Sequence, residues 1–296
     1  MVSVVIPAHD ESYVIGRLIG QILLSAHPGE FEIIVVANGC TDNTAEIATA
    51  INPSIHVVSI PVASKHEALA VGNRMATGFP RVYVDADVEL RGEDLRALAE
   101  ALRRPGVMCA GPQRTYDMTG RPWQVRWYYD IWTRLPEVRR GLFGRGVVGF
   151  SSEGYARLRK LPPLMADDLA ASLAFAPEER LIAPGAYVLI HPPRTFRDLL
   201  RGRTRAVMGA DEVEEAATGL NATARTHLSE IVAIICRDPH RTPQAVLFLG
   251  VALLARRRAR RLVAEKGYTT WLRDESSRDV TVAVDKRSRE DQFAGS

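Results

Sequence analysis

The chain is poor in cysteine, holding only Cys40, Cys109 and Cys236, an odd count without a CxxC pair. That spacing excludes a disulfide framework and a zinc cluster, and it suits a reducing compartment. Long apolar runs are also missing. The C-terminal run 245–255 has 11 residues, well short of the roughly 20 that span a bilayer as a helix. No charge of one sign prevails, since 38 Lys+Arg against 35 Asp+Glu leave +3. A protein whose main task is to coat nucleic acid carries far more base, so no nucleic-acid partner is expected. There is no internal repeat. What is present, 46% hydrophobic and 25% charged residues over 296 positions, excludes wholesale disorder and supports a substantial core in one large domain or two modest ones. The opening Met1-Val-Ser-Val-Val-Ile-Pro7 lacks the basic leader and apolar core of a signal peptide and reads as a strand, so the expected address is the cytoplasm.

Strand and helix signals alternate through the first hundred residues. Short β-branched runs at 2–6, 33–36, 57–60 and 81–84 have the composition of parallel strands covered on both faces. Helical stretches at 12–25, 41–51 and 65–76 lie between them. Asp42 is placed to cap the second of these. Such alternation predicts an α/β fold with a mostly parallel sheet and right-handed crossovers, whose ligand site lies beyond the carboxyl ends of the strands. A charged helix at 94–103, strands at 107–112 and 186–190, and helices from 196 onward continue the pattern. Gly141, Gly144, Gly146 and Gly149 read as a loop, with a helix start at Ser151-Ser152-Glu153. From residue 273 the chain is polar and charge-dense, the composition of a poorly ordered tail.

The sharpest chemical signal is Tyr83-Val84-Asp85-Ala86-Asp87. Alternation along an extended strand points Asp85 and Asp87 the same way. Hard oxygen ligands of that kind suit Mg2+ or Mn2+ with diphosphate oxygens completing the shell; a solvated turn at a strand end uses the same letters.

The order of segments around this DxD resembles family 2 glycosyltransferases with the GT-A fold, a Rossmann-like central sheet flanked by helices, here with a helical C-terminal region. Val4-Val-Ile-Pro-Ala-His-Asp-Glu11 is similar to that family's first strand and nucleotide loop, and Glu32 to Thr44 to its second strand and turn. Lys65 to Gly72 is similar to the helix before the DxD strand, and separated motifs carry the likeness to about residue 205. The resemblance implies a nucleotide-sugar-binding half at 1–112, an acceptor-binding and catalytic half of the same domain at 113–210, a helical region at 211–272 and the tail at 273–296. Within it, Pro7, Ala8, Asp10, Glu11 and Ala86 would surround the donor. Asn38 stands where the family more often has Asp, and its amide can read uracil through either N–H or C=O. Lys65 would approach the diphosphate, unless it is simply an exposed helix lysine. Asp85, Asp87 and His191, which follows a strand, would hold the Mn2+ or Mg2+.

Met165-Ala166-Asp167-Asp168-Leu169 resembles the family's xED motif, with Asp167 in place of Glu among the donor-binding residues and Asp168 at the catalytic base position. The reaction implied is inverting transfer of one hexosyl or N-acetylhexosaminyl unit, most naturally from a UDP-sugar, to an acceptor hydroxyl that Asp168 deprotonates. Processive members carry QxxRW where this chain has Gly202-Arg-Thr-Arg-Ala206, which points to non-processive transfer. Arg194, Arg197, Arg201, Arg203 and Arg205 could neutralise the leaving diphosphate or line a solvated helix face. Trp127 and Trp132 are candidates for an acceptor wall, core packing being the alternative. Two other functions stand beside this one. A non-catalytic sugar-nucleotide scaffold would explain the departures at Asn38, Asp167 and QxxRW. A sugar nucleotidyltransferase would need a glycine-rich first loop, and Pro7 to Glu11 has no glycine. At the C-terminus, apolar 245–255 followed by the arginines of 256–261 reads either as peripheral contact with an anionic leaflet through 245–261 or as a buried helix ending in cations.

Overall fold

The computed structural model describes residues 1–160, 174–216 and 228–266. Seven strands form one sheet in the order β3-β2-β1-β4-β6-β5-β7. They are β1 (Val2–Ala8), β2 (Phe31–Asn38), β3 (His56–Ile60), β4 (Arg81–Val84), β5 (Cys109–Tyr116), β6 (Val147–Phe150) and β7 (Arg180–Ile190). All neighbours run parallel except β6, which is antiparallel to both β4 and β5. The expected mostly parallel α/β sheet is therefore what the chain adopts.

The β-branched runs fill two cores with a period of two. Val4, Ile6, Ile33, Val35, Val82 and Val84 face one core; Val5, Ile34, Val36 and Tyr83 face the other. Helices α1 (Ile15–Leu24), α2 (Thr44–Ile51) and α4 (Gly92–Leu102) cover the first face with Leu18, Ile22, Ala48, Leu95 and Leu98. Helix α3 (Lys65–Met75) covers the second with Ala68 and Leu69. It lies so close that a Cβ on Gly72 would stand 2.3 Å from Val5 Cγ1.

Helices α5 (Trp123–Trp132), α6 (Pro136–Arg140), α8 (Phe196–Ala216), α9 (Leu228–Arg237) and α10 (Thr242–Lys266) build a third apolar cluster, and a short α7 (Ser152–Leu158) follows β6. The inner face of α10 buries Ala245, Phe248, Val251 and Ala255, with Phe248 stacked on Tyr128 at 5.0 Å. Its outer face exposes Val246, Leu249 and Leu253, then Arg256, Arg257, Arg260 and Arg261. Among the described residues no helix is long and apolar enough to cross a membrane. The tail expected at 273–296 lies outside the described residues.

Four elements differ most from the sequence reading. Residues 147–150, read within a glycine loop, are the antiparallel strand β6. The run 107–112 extends as β5 to Tyr116, and 186–190 is the end of an 11-residue β7. Helix α2 starts at Thr44 rather than near Thr41, because Asp42 folds the chain before it.

Candidate active site

Strand directions bring one set of ends together. The carboxyl ends of β1, β2 and β4, the amino end of antiparallel β6, and the carboxyl ends of β5 and β7 all lie along one edge of the sheet. There the fold places His9, Asp10 and Glu11 after β1, Asn38 at the end of β2, Asp85 and Asp87 after β4, Gly146 before β6, Asp117 after β5 and His191 after β7.

The β1 loop is tightly held. Pro7 and Ala8 are buried in the strand itself. Asp10 takes a left-handed φ of 49°, and its Oδ1 accepts from Thr41 N at 2.6 Å. Glu11 is 5% exposed; its backbone N–H donates to Thr44 Oγ1 at 2.7 Å. Asp42 accepts from Ser12 N and from Thr44 N, both at 3.1 Å, so it ties this loop to the start of α2. Burial opposes its ionisation, but the hydrogen bonds from Thr44 and Ser12 outweigh that and hold its pKa below the usual carboxylate value. Asn38 is buried, and its Nδ2 donates to Ala8 O at 2.8 Å. Its Oδ1 has no hydrogen-bond partner among the described residues.

Past the end of β4 the chain turns at residues 86 and 87 instead of continuing extended as expected for the DxD, yet burial still alternates. Asp85, Asp87 and Glu89 are partly exposed, while Ala86, Val88 and Leu90 between them are buried. Lys65, the first residue of α3, places Nζ 2.8 Å from Asp85 Oδ1. It is therefore part of the acidic strand end, not a free surface lysine. Lys65, Tyr83, Asp85, Leu142, Gly146, Val147 and Val148 line a small cleft. Gly146 O accepts from Asp85 N at 2.7 Å. Gly146 has φ of 65°, and a Cβ there would stand 2.5 Å from Val88 Cγ1, so only glycine lets the β6 loop lie on the DxD turn.

The sequence reading missed three residues here. Glu89 Oε1 lies 2.7 Å from His191 Nε2, Glu89 Oε2 accepts from Gln21 Nε2 at 2.9 Å, and Arg17 Nη1 is 3.4 Å from Oε1. Asp117 Oδ2 is 3.4 Å from His191 Nδ1. His191 thus sits beside the DxD strand between two carboxylates. Asp85, Asp87 and His191 do not form a group with ligand atoms within 4.8 Å of one another; among the described residues only His9, Asp10 and Cys40 do. Arg145 is the third. Buried, it donates to Gly141 O at 3.0 and 2.9 Å and to Pro112 O at 2.7 Å, pinning the glycine segment to β5. Burial, and then the nearby Arg114 charge, pull its pKa down to about 9. Arg145 and Asp117 give no local signal; Glu89 continues the DxD alternation and was legible on that ground.

Glu89 carries a pH dependence. Burial raises its pKa, but hydrogen bonds from Gln21 and His191 and the Arg17 charge bring it below 4.5. A depressed folded-state pKa means that ionised Glu89 stabilises the fold above the unfolded value and that this is lost as pH falls through the folded one. The Tm advantage of the native chain over Glu89→Gln should hold at neutral pH and shrink as pH drops below about 4.5, as thermal melts across that range would show.

The aromatic patch is mainly core. Trp132 is 8% exposed, with Arg114 and Arg203 over its ring at 5.2 and 5.3 Å. Trp127 is half-buried and packs edge-on against exposed Trp123 at 4.7 Å. Of the basic stretch, Arg201 pairs with Asp198 at 3.3 Å and Arg203 donates to Tyr128 OH at 3.3 Å. Asp167 and Asp168 lie outside the described residues.

In a doubly wound α/β sheet ligands bind beyond the carboxyl ends of the strands, where this chain carries Asp85, Asp87, Lys65 and the Gly146 loop. The chain belongs to glycosyl transferase family 2, whose sequence profile matches residues 3–161. No curated protein matches the sequence. Among solved structures it resembles the mannosyltransferase PcManGT from Pyrobaculum calidifontis in complex with GDP-Man and Mn2+, at 19% identity and a TM-score of 0.59, over 97% of this chain and 86% of that one. It also resembles glucosyl-3-phosphoglycerate synthase from Mycobacterium tuberculosis in complex with Mn2+, UDP-Glc and phosphoglyceric acid, at 19% identity and a TM-score of 0.51, over 75% of this chain and 81% of that one. These likenesses establish the shared GT-A fold.

Proposed function

We propose that the chain is an inverting, non-processive glycosyltransferase that moves one hexosyl or N-acetylhexosaminyl unit from a nucleoside-diphosphate sugar to an acceptor hydroxyl. The observation that carries this is the convergence of Asp10, Glu11, Asn38, Lys65, Asp85, Asp87 and His191 on one sheet edge. Glu11 and Asp10 would hold the nucleoside, Lys65 the diphosphate, and Asp168, with Asp167 on the donor, would take the acceptor proton as the oxygen attacks the anomeric carbon from the opposite face.

The two DxD carboxylates suit a divalent cation; His191 stands outside their immediate group. Asp85 and Asp87 are hard oxygen ligands on one side of the chain, and the Lys65 ammonium already sits on Asp85 as a cation would. His191 approaches this strand end through Glu89, whose Oε1 lies 2.7 Å from its Nε2. When bound, Mn2+ or Mg2+ would offset the charge left on the departing nucleoside diphosphate. PcManGT and glucosyl-3-phosphoglycerate synthase, in the complexes named above, hold Mn2+ with a nucleotide sugar.

Asn38 narrows the base. Its amide nitrogen is committed to Ala8, so its buried Oδ1 is left to accept. Uracil and guanine present a ring N–H to such an acceptor; cytosine and adenine present a bare ring nitrogen. UDP-sugars are the donor proposed, with GDP-sugars as the competing outcome. A panel of UDP-, GDP-, dTDP-, CDP- and ADP-sugars should give Mn2+-dependent donor hydrolysis only for bases bearing that N–H, at roughly tenfold or greater preference, the worth of one buried hydrogen bond. Turnover that survives EDTA, or equal use of ADP-sugars, counts against the reading; no turnover with any donor favours a scaffold.

Peripheral contact of 245–261 with an anionic membrane is part of the same proposal, supported by the exposed Val246, Leu249 and Leu253 that precede exposed Arg256, Arg257, Arg260 and Arg261 on α10. Cosedimentation with anionic vesicles should fall steeply with added salt, and absence of binding at low salt removes it.

A further inference from the structure

Three side chains from two loops meet beside the nucleoside position. His9, Asp10 and Cys40 bring one ligand atom each within 4.8 Å of one another. His9 Nε2 lies 3.7 Å from Asp10 Oδ2. In a four-coordinate zinc site, bonds of about 2.0–2.3 Å separate neighbouring ligands by roughly 3.3–3.6 Å, so about an ångström of side-chain movement closes the set.

Each ligand is already oriented by a second partner. His9 Nδ1 is 2.6 Å from Asn38 O. A carbonyl can only accept, so Nδ1 carries a proton, and in the neutral ring the lone pair is on Nε2. This is the arrangement that metal-bound histidines use. Asp10 Oδ1 is held by Thr41 N at 2.6 Å and Thr41 Oγ1 at 3.2 Å, which turns Oδ2 toward the histidine. Cys40 Sγ is placed by two contacts at 3.4 Å, accepting from Asp10 N and donating its S–H to Ala8 O, so a metal would have to displace that proton. Imidazole, thiolate and carboxylate together select a thiophilic ion over the hard ions that suit Asp85 and Asp87.

We propose that His9, Asp10 and Cys40 form a second metal site, for Zn2+, and that its occupancy excludes the donor nucleoside. The exclusion rests on the assignment of Asp10 and Glu11 to the nucleoside; the metal site does not. On binding, Zn2+ forms bonds to Nε2, Oδ2 and Sγ, and the Cys40 thiol releases its proton to solvent. Burial holds that thiol above its usual pKa, so zinc affinity rises with pH.

Cobalt titration of the full chain tests the site without any donor. One equivalent of Co2+ should give a sulfur-to-cobalt charge-transfer band and the strong visible bands of a four-coordinate ion, discharged by Zn2+. Cys40→Ser should abolish the charge-transfer band, and His9→Ala, which removes a direct ligand, should weaken binding by more than the roughly 10–100-fold typical of losing an outer-shell partner. Cys236→Ser and Asp87→Asn should keep the spectrum, which separates this site from the exposed thiol and from the DxD. Circular dichroism shows that each variant is folded. A missing thiolate–cobalt band in the native chain, or one retained in Cys40→Ser, overturns the site. UDP affinity, measured with Mg2+ present, should fall in the zinc-loaded native chain and not in His9→Ala; unchanged UDP affinity overturns the exclusion. If UDP does not bind even without zinc, the donor assignment fails, and the cobalt spectrum still reads the metal site.

Discussion

Asp168→Asn is expected to lower sugar transfer by roughly 10²–10⁴-fold, the range contributed by a positioned general base, with donor affinity unchanged. The amide keeps the size of the side chain and loses the lone-pair basicity that accepts the hydroxyl proton. The loss should therefore fall on kcat and leave the KM for donor near its native value. Single-turnover transfer at saturating donor, with calorimetry for donor binding, checks both halves. Native activity in the variant removes Asp168 as base, and loss of donor binding moves it into the donor site beside Asp167. Products carrying one added sugar are expected throughout, in keeping with Gly202 and Ala206 where QxxRW would put Gln and Trp.

Asp87→Asn should be nearly as severe, with a fall of about 10²–10³-fold, the usual cost of removing one group that stabilises transition-state charge. Asp85 pairs with Lys65 at 2.8 Å, and Asp87 would supply the second hard oxygen ligand of the DxD to a divalent ion. The variant should need much higher Mn2+ for half-maximal rate, read from activity against Mn2+ concentration. An unaltered Mn2+ profile would reassign the ion elsewhere, with Glu89 and Asp117 around His191 the next residues to substitute.

The first half of the fold was legible because strands covered on both faces carry unbroken apolar runs, as residues 4–8, 33–37 and 82–84 of β1, β2 and β4 do. Strand β6 was not, since Gly149 dilutes its short apolar run. A Cβ at Gly149 would meet Leu102 Cδ1 at 2.6 Å, so the glycine is there to let α4 approach. Strand β7 was read only from Ala186 because Pro184 and Gly185 look like a turn; they form the irregularity where β5 and β7 shift register. In the site, Asp10, Asn38, Lys65 and the DxD were readable from local order. Glu89 with His191, and Cys40 with His9, pair residues 102 and 31 positions apart, and no spacing rule reaches that far.

The antiparallel β6 also bears on how the molecule can be divided. It hydrogen-bonds on one side to β4 and on the other to β5, so residues 1–112 and 113–210 are stitched into one sheet. A fragment cut at Pro112 would leave β4 with a bare, sticky border, prone to recruit strands from other molecules. Exchanging the segment after Pro112 between relatives would meet the same obstacle unless β6 and the Arg145 anchor to Pro112 travel as one piece with their partners.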